Sequence, residues 1–140
     1  MNIPLLSEFL ISRDTLWVYK EHRRLFTSNK GGILPLLEYI ETLGLDHKQI
    51  IVFDRVVGNA AALLLVKAAA DKVHSPLGSK LAVKTLSSYG IKCDFTETVQ
   101  YIQNRNRDDM YPMERLSLDK GPEEFFDLIR KRCEGQSNNC

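Results

Sequence analysis

The stretch that most constrains this chain is IIVFDRVVGNAAALLLV, residues 50–66. Ile50–Phe53 is a bare apolar run, and a strand of that kind is covered on both faces. Ala60–Val66 is apolar around its whole circumference, as a helix enclosed by other elements is. A buried strand therefore ends at Asp54, and a buried helix begins within a few residues. Gly58 sits at the junction.

The rest of the chain supplies the other elements. Pro4–Ile11 reads as a short amphipathic helix. Leu16–Lys20 and Leu25–Ser28 read as a hairpin whose turn lacks glycine. Gly31-Gly32 opens a helix with Ile33, Leu36, Leu37, Ile40 and Leu43 at helical spacing, and Gly44 stops it. Gln49–Phe53 is the central strand and Val57–Ala70 the buried helix. Lys72–His74 is expected as a short strand, with Ser75-Pro76 as the N-cap and first position of a helix ending at Tyr89. Ile91–Thr96 alternates like a half-buried strand. Asn104–Asp109 is a polar loop, and Pro112 and Pro122 each open a helix. Strands alternating with helices predict an α/β domain with helices on both faces of a largely parallel sheet. The hairpin makes it a mixed, five-stranded sheet. One domain spans 1–134, followed by a polar, disordered tail at 135–140.

Composition narrows the partners. A formal net charge of +1 gives no case for nucleic acid. The longest apolar run stops at Lys67, well short of the roughly 18 residues of a membrane helix. The N-terminus has no basic region or small-residue cleavage site, so no signal peptide is expected. Three widely spaced cysteines are not a disulfide framework. A reducing, bacterial-type cytoplasm is the expected compartment.

The three histidines and three cysteines show no CxxC, HxxxH or HxE spacing, so neither a zinc site nor any other metal or cofactor is expected. There is no GxSxG elbow, Walker A motif or dinucleotide fingerprint. What remains is two helix starts with glycine, at Gly31-Gly32 and at Val57-Gly58-Asn59. A helix start offers free N–H groups and partial positive charge to an anion, and glycine permits close approach. For either glycine alone, a purely structural role in turn or packing is the competing explanation.

Five segments in order, GGILPLLEYIE, DRVVGNAAALLLV, SKLAVKTLSSYGI, VQYIQNR and PMERLSL, resemble the motifs of family 1893 of the domains of unknown function. The resemblance runs from about Leu16 to Leu118. It implies a cytidine deaminase-like fold, a three-layer α/β/α sandwich, with the two glycine-started helices where deaminases place their metal site. There, H-x-E and P-C-x-x-C supply zinc ligands and a proton-carrying glutamate. This chain has Gly31-Gly32-Ile33 and Val57-Gly58-Asn59-Ala60-Ala61 instead, so the resemblance implies a cleft without its water-activating machinery. The chain also departs from the family in carrying Tyr111 where a cysteine is usual.

The resulting expectation is a non-catalytic, deaminase-like protein that binds a small phosphate-bearing ligand, a nucleotide or nucleotide-sugar, as a sensor or modulator. A metal-independent enzyme acting on a nucleotide-like substrate, and an assembly module with no ligand, are the alternatives. Ligand-binding candidates are Gly31, Gly32, Asp54, Val57, Gly58, Asn59, Asn104, Arg105 and Glu114. Asp54 ends a strand where ligands lie in open α/β sheets, or it caps the next turn or pairs with Arg55. Arg105 is a phosphate clamp or a solvated loop residue. Glu114 lies in the first turn of its helix, where the dipole favours a carboxylate, and capping there competes with a site role. His74 is a candidate acid or base, or a hydrogen-bonded structural residue. Replacing Gly58 by valine is expected to impair binding far more than stability. Phe125, Phe126 and Ile129 on the last helix suggest a homodimer or higher oligomer.

Overall fold

The computed structural model describes residues 4–44 and 46–134; the tail expected at 135–140 lies outside them. Strands β1 (Leu16–Lys20) and β2 (Arg23–Ser28) form an antiparallel hairpin, with Lys20 opposite Arg23. Its turn needs a left-handed residue, and Glu21 supplies it at φ 57° in place of glycine. Strand β3 (Ile50–Asp54) runs antiparallel to β1, with Trp17 opposite Phe53. A two-residue strand, β4 (Val56–Val57), follows at once. Strand β5 (Ala70–Ser79) lies parallel to β3 along its first half and to β4 along its second. Strand β6 (Lys92–Val99) pairs parallel with the other side of β5. The mixed α/β architecture is as expected, but the sheet has six strands rather than five.

Two expectations from local pattern fail here. Ser75-Pro76 does not start a helix. It lies inside β5, where Pro76 pairs with neither flank and falls between the β3 and β4 ladders. A residue without an N–H is tolerated at such a gap. Ser75 Oγ accepts from Leu77 N–H at 3.2 Å, a local bond that supports the strand. The helix starts after Ser79, whose Oγ accepts from Ala82 N–H at 3.0 Å. The buried helix is also shorter than expected, at Asn59–Lys67. Val56 and Val57 belong to the sheet, and Ala69 turns the chain out of the helix at φ 60°. An alanine in that conformation carries no stop signal.

The two faces of the sheet are covered unequally. On one face, α1 (Leu6–Ile11) brings Phe9 onto Trp17 and Phe53. Phe9 and Trp17 meet edge to face at 5.2 Å. Arg55 fastens this helix. Its Nε donates to Asp14 O at 2.7 Å and its Nη2 to Ser12 O at 2.6 Å, while its guanidinium lies 5.0 Å from the Phe9 ring centroid. Residues of opposite parity, among them Leu16, Val18, Ile50, Val52 and Val73, face the main core. That core is shared with α2 (Leu34–Thr42), α3 (Asn59–Lys67), α4 (Lys80–Ser88), α5 (Pro112–Ser117) and α6 (Pro122–Glu134). Helix α3 touches all four of the others on this face, which is why its sequence has no polar side. Phe125, Phe126 and Ile129 are buried within this core. The apolar face of α6 is thus covered by its own chain, which removes the reason for expecting an oligomer. Among the described residues no helix is long and apolar enough to cross a membrane.

The position of the α4 cap is directly testable. Ser79→Ala is expected to cost about 1 kcal/mol, read as a lower urea midpoint at unchanged slope. A helix starting at Ser75-Pro76 would leave that midpoint unmoved.

Candidate functional site

At the carboxyl ends of β3 and β4 lies a cavity of about 310 Å³. Gly31, Gly32, Asp54, Gly58, Asn104, Arg105 and Glu114 line it, seven of the nine residues expected there. The turn before α2 forms one wall, with Gly32 at φ 64°. A side chain at Gly31 would meet nothing within 4 Å, so that wall is open. Ala60 and Ala61, in the first turn of α3, form another wall. The two glycine-marked turns therefore face one space.

The remaining two expected residues point elsewhere. Val57 is fully buried in the core as part of β4. Asn59 is buried and ties three helices together. Its Nδ2 donates to Ser117 Oγ at 3.0 Å, and its Oδ1 accepts from the Thr85 hydroxyl. Both residues were assigned to the site because the helix was expected to begin at Val57. With Gly58 as the extended N-cap, each side chain turns into the interior.

Glu114 changes the meaning of the α3 helix start. It lies on α5 and is 1% exposed. One carboxylate oxygen accepts the Asn59 N–H and the other accepts the Ile102 N–H at 2.8 Å. The anion at the α3 terminus is thus the protein's own side chain, and the expected phosphate is displaced from that position. Glu114 caps a helix, as its competing explanation had it, but caps α3 and not the helix that carries it. Gly58 is explained by the same contact. A Cβ there would stand 2.6 Å from Glu114 Oε1 and 2.9 Å from Ile102 Cγ1. The carboxyl cannot simply swing aside, because both of its oxygens are engaged.

Asp54 ends β3 at the cavity wall. Burial pushes its carboxyl up to about 8, against hydrogen bonds from Arg55 N–H and Val56 N–H that pull the other way. Its Oδ1 accepts the Arg55 N–H at 2.8 Å. It therefore caps the next turn as well as facing the cavity. A side-chain pair with Arg55 is not formed, since that guanidinium is committed to α1. A carboxyl raised in this way can hold its proton near neutral pH, where it is able to donate one hydrogen bond and accept another.

The polar loop closes the opening. Asn104 shapes the loop itself, its Nδ2 donating to Asp108 Oδ1 at 2.9 Å and its Oδ1 accepting the Asp108 N–H. Arg105 is exposed at the rim. Its charge lies close enough to Tyr111 to oppose the upward shift that burial gives that phenol. Tyr111, Thr15 and Ile102 also line the cavity and were not among the expected residues. Tyr111 had a signal, as the position that the resemblance marked as unusual. Thr15 had none, and its hydroxyl holds the turn before α2 by reaching Lys30 O at 2.5 Å. His74 stacks on Phe53 at 4.8 Å and pairs with Asp94 at 3.0 Å, away from the cavity. Among the described residues no group of three or more His, Cys, Asp or Glu side chains could hold a metal ion.

Gly58→Ala is expected to destabilise the fold by about 1–3 kcal/mol, as overpacking does, measured by urea unfolding. The close contacts at Gly58 run against the expectation that valine there would impair binding far more than stability. An unchanged midpoint would mean that Glu114 does not sit against Gly58.

No curated protein matches the chain. A solved structure of a DUF1893 family protein (TM1506) from Thermotoga maritima is similar over 91% of this chain and 86% of that one, at 29% identity and a TM-score of 0.81. The family described as Domain of unknown function (DUF1893) matches residues 6–132. The chain belongs to the DUF1893 family.

Proposed function

We propose that this is a deaminase-like protein whose catalytic metal residues have been replaced, and that its cavity binds a nucleoside-like ring without catalysing deamination. The observation that carries the reading is the convergence of Asp54, the Gly31-Gly32 turn and the start of α3 on one cavity at the carboxyl end of the sheet. At about 310 Å³ the space stands at the lower end for small-molecule sites. Ala60 and Ala61 on one wall and Gly31-Gly32 on another are small, and admit a flat ring close to the backbone. A neutral Asp54 offers a donor and an acceptor side by side, the pattern that a lactam or amidine edge of a nucleobase matches.

The anionic part of a nucleotide belongs at the rim. The inner wall already holds the Glu114 carboxylate, which repels a phosphate. Arg105 is exposed at the mouth and carries a fork suited to phosphate oxygens. The phosphate-bearing ligand is thus kept, with its phosphate moved from the helix termini to the loop.

Calorimetry with a panel of free nucleobases, nucleosides and nucleotides tests this. At least one is expected to bind more tightly than about 1 mM, a threshold of roughly 4 kcal/mol. The neutral acid exists below pH 8 and is lost above it, so wild-type affinity should fall as pH rises through about 8. Asp54→Asn keeps one donor and one acceptor and should bind without that fall. A panel with no binder at any pH would overturn the proposal.

A further inference from the structure

A second cavity, of about 630 Å³, lies beyond the carboxyl ends of β5 and β6. It shares Val56, Ile102, Gln103 and Asn104 with the first. The two spaces are therefore divided by one short stretch of chain. That divider is held firmly: Ile102 N–H is bound by Glu114, Ile102 O accepts from Tyr111 N–H at 2.7 Å, and Gln103 bridges to Met110.

The loop that follows sends one arginine to each side. Arg105 lines the first cavity and Arg107 the second. Among the described residues neither takes part in an ion pair. The nearby acids are occupied elsewhere. Asp108 Oδ1 accepts from Asn104 Nδ2 at 2.9 Å, and Asp109 Oδ1 accepts from Arg115 Nη2 at 2.6 Å. Two uncommitted guanidinium groups flanking one ridge suit an anion lying across it. The second cavity adds Glu97, Gln100 and Tyr101, whose carboxylate, amide and phenol read hydroxyl groups.

We infer that the two cavities form one bipartite site for a nucleoside diphosphate joined to a polyhydroxylated group. The ring fills the first cavity, the diphosphate crosses the Asn104 ridge between Arg105 and Arg107, and the sugar-like group fills the second. This rests on the first cavity's taking a nucleoside-like ring.

The test is calorimetry of wild type, Arg105→Gln and Arg107→Gln with uridine, cytidine, adenosine and guanosine. Each is measured also as its 5′-monophosphate, 5′-diphosphate and diphosphate-glucose. For the base that binds, wild-type affinity is expected to rise at least tenfold from nucleoside to diphosphate-glucose. Arg105→Gln should weaken every phosphorylated form. Arg107→Gln should weaken the diphosphate and diphosphate-glucose by about tenfold and leave the nucleoside unchanged. Nucleoside binding with no gain on extension, or equal loss for all forms in Arg107→Gln, overturns the bipartite site and leaves the reading of the first cavity standing. Absence of binding by every member, nucleosides included, overturns both.

Discussion

The carboxylate of Glu114 joins parts of the chain that lie far apart in sequence. It accepts the first N–H of α3 and the N–H of Ile102, while its own backbone oxygen accepts from the Ser117 hydroxyl at 2.6 Å. Burying a carboxyl group costs several kcal/mol unless hydrogen bonds and field offset it. Here two backbone donors and the positive end of a helix dipole do so. The cavity depends on this arrangement. Its inner wall is α3, the segment that bounds it on the other side is Ile102–Arg105, and Glu114 fastens the second to the first.

An internal anion at a helix start alters what the site can hold. Free N–H groups there would favour phosphate, and on that basis a glycine at residue 58 suggests an open anion site. With the Glu114 carboxylate against that glycine, the same backbone donor is occupied and its positive charge is offset. Under the proposed reading, the inner wall suits neutral, flat groups that share hydrogen bonds with Asp54. Among the described residues that line the two cavities, Arg55 is bound to backbone oxygens beside α1, and uncommitted positive charge stands where the loop meets solvent, at Arg105 and, on the far side of the ridge, Arg107. A ligand with an uncharged head and an anionic stem fits that polarity better than a compact anion.

Much of this was legible in the sequence. The apolar run at 50–53 marks a covered strand, and the helix without a polar face marks one enclosed by four others. Prolines at 112 and 122 mark true helix starts. The failures have physical causes. Ser75-Pro76 has the local chemistry of a helix start, but the gap between two strand ladders accommodates it equally well. Ala69 leaves α3 through a left-handed conformation usually signalled by glycine. Glu114 stands in the first turn of its own helix, so local reasoning assigns it there. Its partner is 55 residues away in sequence, a contact that only the packing of α5 on α3 creates. Seven of the nine candidates line one cavity, five because they stand at a strand end or near a helix start and two, Asn104 and Arg105, because they stand in the loop beside it. The remaining two were misplaced because one helix begins two residues later than its apolar pattern suggests.

Glu114 is the built-in anion of the α3 start, and the cavity wall rests on it. Urea unfolding of Glu114→Gln measures this most directly. The amide keeps the size but has one acceptor oxygen, so its NH₂ must face a backbone donor. A loss of about 1.5–3 kcal/mol is predicted, the range for hydrogen bonds to charged groups. A variant within about 0.5 kcal/mol of wild type, the scatter of ordinary surface substitutions, would contradict the account.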